Sequence, residues 1–218
     1  MNHLAGYLLA FCSIFALNVA AEDIVLPPPR IVMHIVSEQA GIDLTTAKIV
    51  FVTGMITQSS MNVAINELLE TKSMPGDRLV MLSSGGGDVD AGERLLIELE
   101  GERAEGVRIV CVAMGAAHSM AFNIMSYCDV RLATAGTKMV AHKVEVGALP
   151  RNKRKTAKNL REMARWLEAI DKKYNRKNAN MMGLDAKNYD MYADAENEWT
   201  VPQLLVIKYL NGVATIEK

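Results

Sequence analysis

Three short segments hold the residue types that acyl-transfer chemistry needs. The first is Ser84-Gly85-Gly86-Gly87-Asp88, three consecutive glycines ahead of an amphipathic stretch. Glycines let a backbone turn sharply and bring its N–H groups close to a ligand, and at a helix N-terminus those groups favour an anion. A phosphate loop would need G-x-x-x-x-G-K-[ST], and no lysine follows; a dinucleotide fingerprint fails as well. The second segment is Gly115-Ala116-Ala117-His118-Ser119-Met120-Ala121. Its small residues predict a tight strand-to-helix turn that presents Ser119 at a helix start. There Oγ can act as a nucleophile, and the Met120 N–H can face a developing oxyanion. A serine that merely caps its helix is the plain alternative. The third is Met139-Val140-Ala141-His142, a histidine closing an apolar run 23 residues after Ser119. His118 is nearer in sequence, but consecutive helical residues do not face each other.

Alternating elements must position these groups. Residues 31–36, 48–53, 78–82, 107–114, 129–134 and 137–141 read as strands, the fourth as a continuous apolar run of buried type. Residues 62–70 and 88–100 have helical periodicity, with Ile65, Leu68 and Leu69, then Leu95, Leu96 and Leu99, on their inner faces. Residues 119–127 read as a short apolar helix. Strands alternating with helices predict parallel βαβ units and an α/β fold. After one helix and two strands His142 returns to the sheet edge where Ser119 sits. Residues 151–177 break the pattern: eleven Lys/Arg face three Asp/Glu, while Leu160, Met163, Ala164, Leu167, Ile170 and Tyr174 keep helical spacing. This predicts a long helix with an apolar stripe and a basic outer face. Residues 183–200 are acidic, with five Asp/Glu and one Lys, and are a candidate to fold against it. Symmetric self-association is the other way to cover such a helix.

Taken together, the three segments resemble the Clp protease proteolytic-subunit family, serine peptidases of the crotonase-like superfamily. That family has a glycine pair after a strand, then G-x-A-A-S-M-[AG], then a histidine ending an apolar strand. Cys128-Asp129-Val130-Arg131-Leu132-Ala133 also resembles its G-D-x-R-x-A segment. The resemblance covers about residues 45–145, and the long helix resembles the family's handle helix in position and amphipathicity. It implies repeated ββα units with a projecting helix. It implies Ser119 as nucleophile, His142 as general base, and an oxyanion hole of the Gly86 and Met120 N–H groups. The family's third member is an Asp near an aromatic; the best register puts Asn197 there, before Trp199, with Asp194 as the alternate. An Asn oxygen can hold an imidazole tautomer but adds no charge. Gly85 stands where the family has Pro, and His118 where it has Ala.

Half of the 218 residues are hydrophobic and the net charge is −1, which excludes disorder and gives no global pull toward nucleic acid. Residues 1–21 carry no Asp, Glu, Lys or Arg, and Val19, Ala20 and Ala21 precede Glu22-Asp23. This predicts a secretory signal peptide and a periplasmic or secreted protein. The rival is an uncleaved membrane anchor through residues 4–21. Residues 22–47 form an N-terminal segment, and residues 48–218 the Clp-protease-like domain. In an oxidising compartment Cys111 and Cys128 are a disulfide candidate. Strand running back from Gly115 and helix running forward from Ser119 cover similar distances, so the two cysteines should return to one level. No cluster has metal-ligand spacing and no cofactor motif is visible.

The leading expectation is an exported Clp-like serine peptidase acting on peptides or unfolded chains as a homo-oligomer. The alternative is a weak or inactive assembly module, argued from Asn197. An acyl-thioester isomerase or hydratase of the same superfamily ranks last, since it has no need of Ser119 with His142.

Overall fold

A computed structural model describes residues 32–35, 47–72, 74–146 and 156–217. The expected signal, residues 22–31 and 36–46 of the N-terminal segment and residues 151–155 of the long helix lie outside the described residues. Strands are β1 (Val32–Ile35), β2 (Lys48–Thr53), β3 (Arg78–Ser84), β4 (Ile109–His118), β5 (Val130–Thr134), β6 (Lys138–Val140), β7 (Glu198–Thr200) and β8 (Gly212–Glu217). Helices are α1 (Gln58–Glu70), α2 (Val89–Ala104), α3 (Met120–Met125), α4 (Ala157–Met182), α5 (Ala186–Asp194) and α6 (Val201–Val206). Among the described residues no helix is long and apolar enough to cross a membrane.

The sheet runs β1-β8-β5-β4-β3-β2, parallel from β2 to β8 with β1 antiparallel. Strands β3 and β4 are buried on both faces, the usual state of central parallel strands and the reason they read as unbroken apolar runs. On one face Val80, Leu82, Cys111 and Ala113 meet Leu68 of α1, Leu95 and Leu99 of α2, and Phe122 of α3 in the main core. Each such aliphatic side chain contributes about 1.5–3 kcal/mol when fully buried. The other face carries a smaller cluster of Leu79, Met81, Val110, Val112, Leu132 and Ala214. Side chains of Thr57, Asp88, Thr156 and Asp185 accept backbone N–H bonds in the first turns of α1, α2, α4 and α5, which explains where those helices start. Beneath the sheet Arg78 and Glu102 form a buried pair at 2.8 Å.

Among the described residues β2 is an edge strand. Its Phe51 N–H, which points away from β3, donates to the Glu67 carboxylate of α1 at 3.0 Å.

Two sequence expectations need correction. The run Gly115-Ala116-Ala117-His118 is not a turn: β4 continues through it to His118. It does so across an irregularity, because Leu82 pairs with Ala113 but Ser84 pairs with Ala117. Gly115 takes φ +75° there, and the small side chains let two extra residues fit opposite Ser83. The handle helix is α4, Ala157–Met182, so it extends past the expected 177. Its start follows the Thr156 cap, and its end follows Gly183 in the left-handed region at φ +66°.

The C-terminal part of α4 is packed, with Tyr174, Asn178, Ala179 and Met182 buried. Acidic α5 folds back against that part: Asn175 donates to Asp190 at 2.7 Å and Asn178 to the Tyr189 hydroxyl at 2.8 Å. The first turns stay open, with Leu160 45% and Trp166 41% exposed.

Candidate active site

Ser119 is the hinge between β4 and α3. Its backbone lies at φ +53°, ψ −120°, a conformation that L-residues other than glycine rarely adopt and that costs about 1–3 kcal/mol. Ser119 occupies the N-cap position of α3, yet its side chain makes no capping hydrogen bond. It is therefore not a plain capping serine. The bulge at Gly115, held by Gly115 N–H to Thr137 Oγ1 at 3.1 Å, re-aims the end of β4 into this turn. The fold keeps the turn in place through Ser119 N–H to the Val140 carbonyl at 2.8 Å.

The same contact brings in the histidine. β6 runs parallel to the end of β4, with His118 opposite Val140. His142 follows two residues later, at the sheet edge that carries Ser119. His142 Nδ1 lies 2.6 Å from the Lys143 carbonyl oxygen. A carbonyl only accepts, so Nδ1 carries the proton and Nε2 is left with the lone pair. Among the described residues no hydrogen bond joins Ser119 Oγ to the ring. Apo sites often hold such pairs looser than hydrogen-bond distance.

The glycine loop closes over Ser119. Gly86 sits at φ +92°, and a Cβ there would lie 2.6 Å from Ser119 Cβ and 3.2 Å from the Met120 nitrogen. The Gly86 backbone thus packs against both the candidate nucleophile and the Met120 nitrogen. Met120 is locked by its side chain, which fills the notch at Gly92 of α2 so tightly that a Cβ there would come within 2.5 Å of it. The Gly86 N–H donates to Ser84 Oγ at 3.0 Å, and Ser84 Oγ donates to the Gly54 carbonyl at 2.6 Å. The sequence places Ser84 at the head of the glycine segment without a role; its hydroxyl ties the glycine loop to the residue after β2, which the pairing of β2 with β3 brings beside it.

Asn197 immediately precedes β7, which pairs antiparallel with β6 and places Glu198 opposite Val140. Asn197 is therefore one step from the Ala141-His142 segment. Among the described residues no hydrogen bond joins its amide to the His142 ring. Asp194 is also close, but its carboxylate holds Lys143 Nζ at 2.7 Å, and Asp190 holds the same ammonium at 3.3 Å. The hydrogen bond that the ammonium donates to Asp194 raises the Lys143 pKa above the ordinary lysine value, ahead of the partly opposing effect of burial. The neighbouring Val144 N–H donates to Asp171 of α4 at 2.8 Å. Lys143, Asp171 and Asp190 carry no motif, and no signal in the sequence marks them.

His118 Nε2 is buried and has no hydrogen-bond partner among the described residues. It belongs to β4, so alternation along a strand, not helical geometry, turns it from Ser119. Cys111 of β4 and Cys128 beyond α3 stand with Cα atoms 5.8 Å apart and their sulfurs at bonding distance. The strand is longer and the helix shorter than expected, and the bulge takes up the difference. Arg131 braces the same corner, donating to the carbonyls of Cys128 at 2.7 Å and Tyr209 at 2.6 Å.

No curated protein matches the sequence. The Clp protease family model matches residues 36–198, well over half of the chain. That span holds the glycine loop, Ser119, His142, Asn197 and the handle helix, arranged on a parallel sheet as described above, and the chain belongs to the Clp protease family.

Proposed function

We propose that this member of a peptidase family is an exported serine peptidase that cleaves peptides or unfolded protein chains. Ser119 Oγ attacks the scissile carbonyl while His142 Nε2 takes its proton. The tetrahedral oxyanion is met by the N–H groups of Met120 and Gly86, the latter turning from Ser84 Oγ. The protonated imidazole then gives the proton to the leaving amine, and water repeats the cycle on the acyl-enzyme. Asn197 stands in the third-member position. The observation that carries this reading is the strained, uncapped Ser119 with the Gly86 backbone packed against it. Strain of that kind persists only where surrounding structure over-determines it. Export rests on residues 1–21 and agrees with the bridging geometry of Cys111 and Cys128. Self-association rests on the open first turns of α4.

A fluorophosphonate probe tests the nucleophile. Labelling of the parent and its loss in Ser119→Ala, together with loss of peptide and ester hydrolysis, is the expected result. Unchanged turnover in Ser119→Ala ends the assignment. A non-catalytic assembly module is the second reading, favoured by the occupied Gly86 N–H and by the missing carboxylate at Asn197. An unlabelled parent that still assembles would select it.

A further inference from the structure

We propose that Lys143 is the positioning residue for His142, and that Asp194 and Asp190 act on the imidazole only through it. The inference rests on the reading of His142 as the base. A serine peptidase needs an acceptor at Nδ1, because that bond fixes the tautomer whose Nε2 can take a proton. In this chain the acceptor at 2.6 Å is the Lys143 backbone carbonyl. A backbone carbonyl orients a ring only if its peptide is held still, and here the peptide is held from both sides. The Lys143 ammonium bridges Asp194 at 2.7 Å and Asp190 at 3.3 Å. The next N–H, that of Val144, is bound by Asp171 at 2.8 Å.

The anchors are themselves fixed. Asn175, one turn after Asp171 on α4, donates to Asp190 at 2.7 Å. Asp190 and Asp194 lie four residues apart on α5 and so share a face. The first link from the ring to this three-carboxylate clamp is therefore a main-chain atom. A negative charge in contact with the ring is replaced by a dipole, and the charges are moved one residue away. This accounts for an Asn at position 197 in a chain whose nucleophile turn is intact.

The test reads the tautomer directly, without substrate. In full-length protein with nitrogen-15 imidazoles, two-bond proton–nitrogen correlations at alkaline pH assign each neutral ring, and His142→Gln identifies the His142 signals. The expected result is an Nδ1–H ring at His142, retained in Asn197→Ala. In Lys143→Met, and in the double variant Asp190→Asn/Asp194→Asn, the ring should divide between tautomers, and Lys143→Arg should restore it. With hydrolysis measured alongside, Lys143→Met should lower kcat by about 10–100-fold with KM within about twofold. An Nε2–H ring in the parent, or a ring that switches in Asn197→Ala, overturns the proposal, as does an unchanged ring in both clamp variants. If Ser119 proves unreactive while the tautomer pattern holds, the peptidase reading fails and the positioning of His142 by Lys143 stands.

Discussion

Replacing Gly86 by alanine adds one carbon at the most crowded point of the site. The new Cβ would stand 2.6 Å from Ser119 Cβ, 2.8 Å from the His118 carbonyl oxygen and 3.2 Å from the Met120 nitrogen. Carbon contacts settle at about 3.5–4.0 Å, so the overlap with Ser119 is on the order of 1 Å. None of these atoms is a flexible tip, so either the glycine loop or the Ser119 turn must shift. Misplacing a reacting group by about 1 Å costs on the order of 100-fold. Losing one oxyanion donor costs about 100–1,000-fold. Both losses act on one transition state and do not multiply, so kcat/KM should fall about 100–1,000-fold. The fold suffers too. Alanine at φ +92° costs about 1–2 kcal/mol, and overpacking adds about 1–3 kcal/mol. Gly85→Ala is the control, since a Cβ there meets nothing within 4 Å. Fluorophosphonate labelling rate, ester turnover and the thermal midpoint are measured for all three proteins. A Gly86→Ala protein with parental midpoint and labelling rate would refute the placement of Gly86 against Ser119.

The double variant Cys111→Ala/Cys128→Ala removes a cross-link that closes a segment with a sequence separation of 17. Stability should drop by about 3 kcal/mol relative to the oxidised parent, read by calorimetry. Burial raises the phenols of Tyr189 and Tyr209 above the ordinary 10.0. The fold keeps both neutral while the unfolded chain ionises, so this stability is complete below about pH 10 and is lost as pH rises beyond it. The thermal midpoint should therefore fall steeply above that pH, and Tyr209→Phe should flatten the fall; equal slopes would contradict the assignment. Trp166→Ala with Leu160→Ala should shift the chain toward monomer in light scattering while its circular dichroism stays that of the parent, because both side chains are exposed. An assembly of unchanged size would take the first turns of α4 out of the interface.

Most of the sheet was legible because central parallel strands are apolar on both faces. Lys48–Thr53 was bounded by its own residues, and β3 and β4 by unbroken aliphatic runs. The end of β4 was not, since glycine and alanine are equally at home in a turn and in a bulge. Only the register against Ser84 separates the two. The places of Ser119, His142 and the glycine loop at the ends of strands were readable because each is a local pattern in the sequence. The surroundings of His142 were not. Its Nδ1 partner is a main-chain atom, which no side chain advertises. Lys143 is anchored by residues 47 and 51 positions away, and that proximity is a product of the β6–β7 pairing and the docking of α5. Cys111 and Cys128 were matched by path length, a coarse argument that tolerated errors in both elements.

The carboxylate of Glu67 on the Phe51 N–H occupies one donor of β2, an edge strand among the described residues. An exposed edge offers a row of donors and acceptors on which another chain can crystallise as a further strand. Here a donor on that row is already spoken for, and an incoming strand would have to displace a charged group from it. One charged group thus stands in the way of ribbon-like growth on that row. Glu67→Ala would uncork that edge, and the first symptom would be fibrillar precipitate, not lost catalysis.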